Sequence, residues 1–255
     1  MSDPSRDEVL PEEQDGQHQR QGRGDDGRRR GRLWPALREI AMITVTALVI
    51  SFVIKSFVAQ AFWIPSGSME DTLVYGDRVM VSKIQAGPMK VERGDIAVFE
   101  DPGSWLGPMP QKDRGPVVGA VLDVLEFVGV VPVAHGNHLI KRVIGVGGDH
   151  VACCDEEGRL TVNGEPLDEP YLYPGDDPSD IPFDITVPDD SIWVMGDHRS
   201  NSSDSRMHDD GTGATGSVPR DHVVGQAFVL LFPLDRITWF SIPQTFDDVP
   251  AAGST

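Results

Sequence analysis

Three short polar clusters in this chain carry side chains that are suited to hydrolytic chemistry. The first runs from Ile64 to Leu73 with the sequence IPSGSMEDTL, where Pro65 and Gly67 favour a tight turn that exposes a serine hydroxyl. An ordinary surface loop has the same composition. The cluster therefore predicts a nucleophile only in combination with a base that activates it.

The second cluster is an alternating stretch, His138 to Ile144, that contains one lysine. Strand alternation places Leu139, Lys141 and Val143 on one face. If that face is buried, desolvation disfavours the ammonium ion and lowers the pKa of the lysine toward neutrality, so the amine can serve as a general base. The alternative is an edge strand from which the ammonium reaches solvent.

The third cluster, Met195 to Arg206, reads MGDHRSNSSDSR and follows an apolar strand. Its hydroxyls are suited to orient a neighbouring amine, and its Asp and Arg side chains to pin the loop. A solvated surface turn is the alternative interpretation of this cluster taken alone.

An apolar segment precedes the first cluster. Residues 40–54 carry no charge, but a helix of that length spans about 22 Å against a hydrocarbon core of about 30 Å. Lys55 can extend its amine to the interface, which lengthens the usable stretch to about Ala61. We therefore expect one transmembrane anchor over residues 37–61.

Charge around the anchor predicts its orientation. Five arginines lie between residues 28 and 38, whereas the next basic residue after Lys55 is Arg78. The positive-inside rule then predicts a single-pass protein of the cell membrane, with a cytoplasmic N-terminus and an extracytoplasmic remainder. A buried globular helix and a cleavable signal peptide are alternatives, the latter because Ala59-Gln60-Ala61 has the small-x-small form of a cleavage site. The long leading region favours a retained anchor.

Composition limits the function of the rest of the chain. The 255 residues have a formal net charge of −18, and the first 39 hold 8 Arg against 9 Asp and Glu, so −17 lies downstream. Such an acidic segment argues against nucleic-acid binding. Residues 1–36 are polar and poor in aliphatic side chains, which predicts a disordered cytoplasmic tail.

Beyond the anchor the pattern changes to short strands separated by turn residues. The predicted strands are Arg78–Ile84, Asp95–Phe99, Leu139–Val146, Ile192–Met195 and Val223–Phe232. They indicate one mostly β domain with long loops over residues 62–243. Within it, residues 103–136 predict an insertion between strands, and residues 244–255 predict a flexible C-terminal tail.

The two cysteines, Cys153 and Cys154, are adjacent. Neighbouring Cα atoms lie about 3.8 Å apart, which is shorter than disulfide geometry prefers, so we expect two free thiols. The pair forms neither a CxxC motif nor a zinc ligand set. No metal or other cofactor is expected.

Together the three clusters resemble the motifs of bacterial type I signal peptidases, of the single-pass Gram-positive or actinobacterial kind. The resemblance covers most of residues 62–232, in the order PSGSM, GDRVMVSKI, RGDIAVF, KRVIG with GGD, and GDHRSNSSDSR. It implies a signal-peptidase-like β domain of antiparallel sheets, preceded by one transmembrane helix. Two positions depart from the family pattern: Asp71 stands where proline is common, and His198 where asparagine is common.

The resemblance also implies residue roles. Ser68 would be the nucleophile of a serine endopeptidase and Lys141 its general base, without a catalytic histidine. The Ser68 backbone N–H and the Ser66 hydroxyl would form the oxyanion hole, and Ser202 would orient the Lys141 amine. Asp204 and Arg206 are implied to hold the loop through an ion pair.

The implied substrates are preproteins that carry signal peptides, cleaved after small-x-small (Ala-x-Ala) sites. Small side chains would enter shallow apolar pockets, whose walls exclude larger ones. The candidates for this lining are Phe62, Ile64, Met69, Leu73 and Ile140. The other expected partner is the lipid bilayer, and the protein is expected to act as a monomer.

Three other functions fit part of the pattern. A self-cleaving repressor-type protease shares the Ser/Lys chemistry, but the membrane segment and the absence of a DNA-binding region count against it. An inactive membrane-tethered binding module would not need Ser68, Lys141 and Ser202 together. A metal hydrolase has only scattered histidines, without a recognisable ligand spacing: His135, His138, His198 and His208.

Overall fold

The computed structural model describes residues 26–84, 90–103, 105–107 and 138–253. Most of the predicted insertion and of the predicted N-terminal tail lies outside the described residues. The chain divides into two compact units, Met1–Ala47 and Leu48–Thr255. The candidate catalytic residues all belong to the second unit.

The long helix α1, Asp26–Phe57, contains the apolar segment. Its stretch Trp34–Phe52 is long and apolar enough to cross a membrane and has no buried residue, although a signal sequence has the same properties. The helix begins at Asp26, so the prediction of a disordered tail is wrong for residues 26–36, where the arginines are good helix formers and continue the helix toward the N-terminus. It ends at Phe57 rather than at 61, because residues 59–61 join a β-strand instead.

Twelve strands occur in the described residues. They are β1 Ala59–Trp63, β2 Arg78–Ser82, β3 Ile96–Glu100, β4 His138–Val146, β5 His150–Cys153, β6 Leu160–Val162, β7 Glu165–Pro166, β8 Phe183–Thr186, β9 Ser191–Met195, β10 Val218–Pro219, β11 Val223–Phe232 and β12 Thr238–Trp239. One short helix, α2 Ser205–His208, and four 3-10 turns, Arg199–Asn201, Arg220–His222, Leu234–Arg236 and Gln244–Phe246, complete the regular structure of this part of the chain.

The strands form two sheets in which neighbours run antiparallel. The larger has the order β1-β2-β11-β3-β4-β9-β10, with β12 paired to β11, and the smaller has the order β7-β6-β5-β8. The mostly β, antiparallel fold class is confirmed. Each of the five predicted strands corresponds to a strand of the larger sheet, namely β2, β3, β4, β9 and β11.

The segment after the last strand is packed rather than free. Phe246 and Val249 are 6% and 8% exposed and belong to the hydrophobic cluster under the smaller sheet. Asn163 Nδ2 also donates a hydrogen bond of 2.9 Å to the Pro250 carbonyl. The prediction of a flexible tail over residues 244–255 is therefore wrong as far as residue 253, because two apolar side chains suffice to dock the segment.

The expectation of two free thiols is also wrong, since the structure joins Cys153 and Cys154 in a disulfide. The peptide bond between them is cis, and their Cα atoms lie 2.9 Å apart. A spacing of 3.8 Å, on which the expectation depended, applies only to a trans peptide.

Candidate active site

The first polar cluster forms a tight turn between β1 and β2. The Ile64 N–H donates to the Asp77 carbonyl at 2.9 Å, and the Gly76 N–H donates to the Ile64 carbonyl at 3.0 Å, so the two ends of the connection are tied together. Met69 and Leu73 are fully buried in the hydrophobic cluster beneath it. These apolar side chains fix the turn that presents the serine.

Ser68 lies at this turn with only 6% of its surface exposed. Its carbonyl accepts a hydrogen bond of 3.2 Å from the His198 N–H, which ties the turn to the third polar cluster. The Ser66 hydroxyl is exposed and lies 3.4 Å from Ser68 Oγ. Two hydroxyl groups therefore lie side by side at this turn.

Lys141 occupies the middle of β4, opposite Ala97 of β3, and is 3% exposed. On the same face, Val143 belongs to a hydrophobic cluster and the partly buried Leu139 packs against it, so of the two alternatives left open by the sequence the structure has the buried face. Lys141 Nζ is hydrogen-bonded to Ser68 Oγ. Sheet pairing and the turn thus bring together an amine and a hydroxyl that are 73 residues apart.

The surroundings of Lys141 raise the neutral fraction of its amine above that of an exposed lysine. Burial lowers the pKa of Lys141 from 10.5 to about 8, and the charge of Arg206 acts in the same direction. The carboxylates of Asp204 and Asp197 partly oppose this by stabilising the ammonium ion. Because desolvation is the largest effect, a much larger fraction of the amine is neutral near pH 7 than in an exposed lysine. The amine can therefore accept a proton more readily.

Ser202 reaches the same region from the third cluster. Its Oγ is buried and makes no hydrogen bond of normal geometry with the described residues, so the implied contact with Lys141 is not formed here. A Cβ placed on Gly196 would clash with Ser202 Oγ and with the Ser68 carbonyl. Gly196 is therefore the residue that lets this loop approach the turn that carries Ser68.

The loop after Gly196 is held by a buried ion pair. Arg206 donates from Nε to Asp204 Oδ1 and from Nη2 to Asp204 Oδ2, both at 2.9 Å, and both side chains are almost fully buried. Asp204 Oδ2 also accepts from the Gly196 N–H at 3.0 Å. Burial alone would raise the pKa of Asp204, but the hydrogen bonds and charge of Arg206 lower it, so the carboxylate stays ionised.

The sequence analysis did not identify a second buried ion pair next to the candidate site, between Arg142 and Asp197. Arg142 binds Asp197 through two hydrogen bonds of 2.8 and 2.6 Å, and Thr72 Oγ1 donates to the same carboxylate at 2.6 Å. The Arg142 guanidinium also lies 4.0 Å from the centre of the Tyr171 ring. Strand alternation places Arg142 in an apolar row with Ile140 and Ile144. A charged side chain in such a row, if the row is buried, needs a buried partner.

The five predicted pocket residues belong to one hydrophobic cluster, but they differ in access. Phe62 and Ile140 retain 5% and 7% exposure, whereas Met69 and Leu73 have none. Met69, Leu73 and Ile64, which is only 2% exposed, therefore support the site from beneath, and Phe62 and Ile140 remain the better wall candidates.

The histidines have partners other than a metal. In the described residues, no group of three or more His, Cys, Asp and Glu side chains is arranged to hold an ion. His138 packs against Phe62 and His208 stacks on Trp105. His135 lies outside the described part of the chain.

Comparison with known proteins agrees with this geometry. Residues 37–232 match the family described as signal peptidase, peptidase S26. The signal peptidase I of Mycobacterium tuberculosis (strain CDC 1551 / Oshkosh) is 42% identical over 221 residues, which cover 78% of this chain and 74% of that protein. The probable signal peptidase I of Mycobacterium leprae (strain TN) is 40% identical over 227 residues, with 79% and 78% covered.

A solved crystal structure of a signal peptidase I from Enterococcus faecalis V583 aligns with 54% of this chain and 96% of that chain, at 24% identity and a TM-score of 0.33. A TM-score of this size adds nothing to the assignment, which comes from the sequence matches. The family match over residues 37–232 and the two mycobacterial relatives lead to one conclusion. The chain belongs to the signal peptidase family, peptidase S26.

Proposed function

We propose that the chain performs signal-peptide processing as a membrane-anchored serine endopeptidase, with Ser68 as nucleophile and Lys141 as general base. The observation that carries the proposal is the hydrogen bond between Lys141 Nζ and Ser68 Oγ at a site where burial lowers the lysine pKa to about 8. A nucleophile and a base within hydrogen-bond reach are the basis of covalent hydrolysis.

The chemistry follows in two halves. The neutral Lys141 amine takes the proton from Ser68 Oγ as this oxygen attacks the scissile carbonyl carbon, and the resulting ammonium donates the proton to the leaving amine. An ester between Ser68 and the signal-peptide end remains. Water then attacks this ester, with Lys141 again accepting a proton and returning it to Ser68 Oγ.

The low pKa matters because only the neutral amine acts as a base. At pH 7 a lysine with a pKa of about 8 is roughly one tenth neutral, whereas an exposed lysine is neutral in about 0.03% of molecules. The developing oxyanion would be stabilised by the Ser68 N–H and the Ser66 hydroxyl. The 3.4 Å separation of the two serine oxygens supports the second of these donors.

We further propose cleavage after small-x-small sites. The support is the apolar cluster beside the turn, in which Phe62 and Ile140 keep some exposure, because apolar walls can exclude a larger side chain by steric contact. Anchoring is supported by the exposed apolar stretch Trp34–Phe52, and a cytoplasmic N-terminus by the arginines that precede it. Preproteins and the lipid bilayer are then the partners, and one chain supplies the whole proposed dyad.

The test is cleavage of a preprotein with an Ala-x-Ala site by the detergent-solubilised full-length chain. We expect cleavage by wild type and by the exposed control variant Lys90→Arg, and none by Ser68→Ala or Lys141→Arg, since a guanidinium stays protonated. A second substrate, with Leu in place of the last Ala before the cleaved bond, should resist cleavage. Normal turnover by Lys141→Arg would exclude the dyad, and equal cleavage of the Leu substrate would exclude the specificity.

A further inference from the structure

A carboxylate and an imidazole meet beside the nucleophile turn, outside the proposed dyad. Glu70 Oε2 lies 3.0 Å from His198 Nδ1, and the two side chains are 35% and 14% exposed. The same His198 donates its backbone N–H to the Ser68 carbonyl at 3.2 Å. The nucleophile turn and the third polar cluster are therefore joined twice, once through backbone and once through side chains.

The Glu70 side chain also covers the residue before the nucleophile. A Cβ placed on Gly67 would come within 2.9 Å of Glu70 Cδ and Oε1 and within 3.2 Å of Asn201 Nδ2. The Glu70 N–H donates to the Gly67 carbonyl at 3.0 Å. The carboxylate thus lies against the backbone that links the two active-site serines.

His198 is held firmly on its other side. Its ring stacks on Tyr173, with centroids 3.9 Å apart and planes inclined by 12°. The Tyr173 N–H donates to the Asp197 carbonyl at 3.0 Å, and the Asn201 N–H donates to the His198 carbonyl at 3.0 Å. The imidazole is therefore a fixed point against which Glu70 can be held.

The turn needs such a restraint for a local reason. Asp71 has a φ of 83°, a left-handed conformation that is uncommon for a residue with a Cβ. Proline, which is common at this position in the resembled family, is locked near −65° and cannot adopt it. Both departures from the family pattern are therefore next to Glu70: Asp71 follows it in the chain, and His198 is its partner in the contact.

We propose that Glu70 and His198 are coupled positioning residues that hold Ser68 against Lys141. The pair acts through the turn backbone and does not touch the substrate or take part in proton transfer. This inference rests on the proposed function, because its effect is on the attack by Ser68. Loss of either partner releases the same contact, so the second loss costs little more than the first.

The test is a double-mutant cycle on the full-length chain, with kcat and KM measured on an Ala-x-Ala preprotein. We expect Glu70→Ala and His198→Ala each to lower kcat about tenfold, with KM within about twofold, and the double variant to lie close to either single one. Glu70→Gln keeps an oxygen acceptor for the imidazole and should recover most of the rate. A purely structural role would not produce this rescue.

The matched control is His150→Ala, which breaks the exposed His150–Asp184 contact of 2.5 Å on the smaller sheet and should leave kcat unchanged. Single effects that multiply to about a hundredfold in the double variant, or no gain from Glu70→Gln, would refute the coupling. Wild-type cleavage that depends on Ser68 keeps the proposed function intact in that case. Absence of Ser68-dependent cleavage would instead overturn the proposed function itself.

Discussion

Replacing Lys141 with methionine tests the electrostatics of the site independently of its activity. The variant keeps a long apolar side chain and removes the buried amine, so it should be inactive. It should also lose the cost of burying an ammonium ion. The difference between a pKa of 10.5 and one of about 8 corresponds to about 3 kcal/mol at roughly 1.4 kcal/mol per pKa unit.

The pH window and the sign follow from the lowered pKa. Between about pH 8 and 10.5 the unfolded lysine binds a proton that the folded one lacks, so the stability of the wild type rises with pH there. Below pH 8 both states are protonated and the full cost is present. The destabilisation of wild type relative to Lys141→Met should therefore fall from about 3 kcal/mol at pH 7 to about 1 kcal/mol at pH 10.

Equilibrium unfolding of both proteins in the same detergent, at one-unit steps from pH 7 to pH 10, measures this change. Groups that titrate equally in both proteins cancel in the difference. The variant also loses the hydrogen bond to Ser68, which changes its free energy of unfolding by an amount that does not follow this pH dependence. The informative quantity is therefore the slope of the stability difference against pH. A stability difference that stays constant from pH 7 to pH 10 would show that Lys141 has an ordinary pKa and would refute the reasoning.

Three further substitutions test the geometry. Ser66→Ala should lower kcat about 10²- to 10³-fold if its hydroxyl stabilises the oxyanion, and an unchanged rate would leave that role to the backbone. Gly196→Ala should cost about a hundredfold in kcat, because its Cβ would displace the Ser68 carbonyl, whereas Gly103→Ala, with no atom within 4 Å, should be silent in the same assay. Arg142→Met should lower the free energy of unfolding by about 3–5 kcal/mol in a denaturant titration, because it leaves Asp197 buried without its partner; a loss below 1 kcal/mol would contradict this.

The elements that hold the proposed dyad were predictable from local sequence. Alternation around Lys141 indicated the strand and the side chains that share a face with the lysine, but it left open whether that face is buried; the proline and glycine around Ser68 indicated the turn. These signals are local, because strand period and turn chemistry depend on residues within a few positions. Bringing Ser68 to Lys141 depends on sheet register across 73 residues, and only the family resemblance indicated it.

The features that were missed depend on contacts between distant segments. The Arg142–Asp197 pair spans 55 residues, and no local pattern specifies which buried arginine faces which aspartate. The smaller sheet is built from strands of two to four residues, too short for periodicity to be read. Phe246 stands in a polar segment whose composition predicts a loose end, and its burial depends on a cluster formed by the smaller sheet.

The arrangement of ion pairs bears on how the pKa of Lys141 stays low while two carboxylates lie near it. Asp204 and Asp197 both raise the lysine pKa, and either one unpaired would favour the ammonium ion more strongly. Each is instead bound through two hydrogen bonds by its own arginine, Arg206 and Arg142 respectively. Arg206 offsets part of the carboxylate effect on the amine, and desolvation, the largest effect, prevails. The loop thus gains the rigidity of buried ion pairs while the lysine keeps a pKa of about 8.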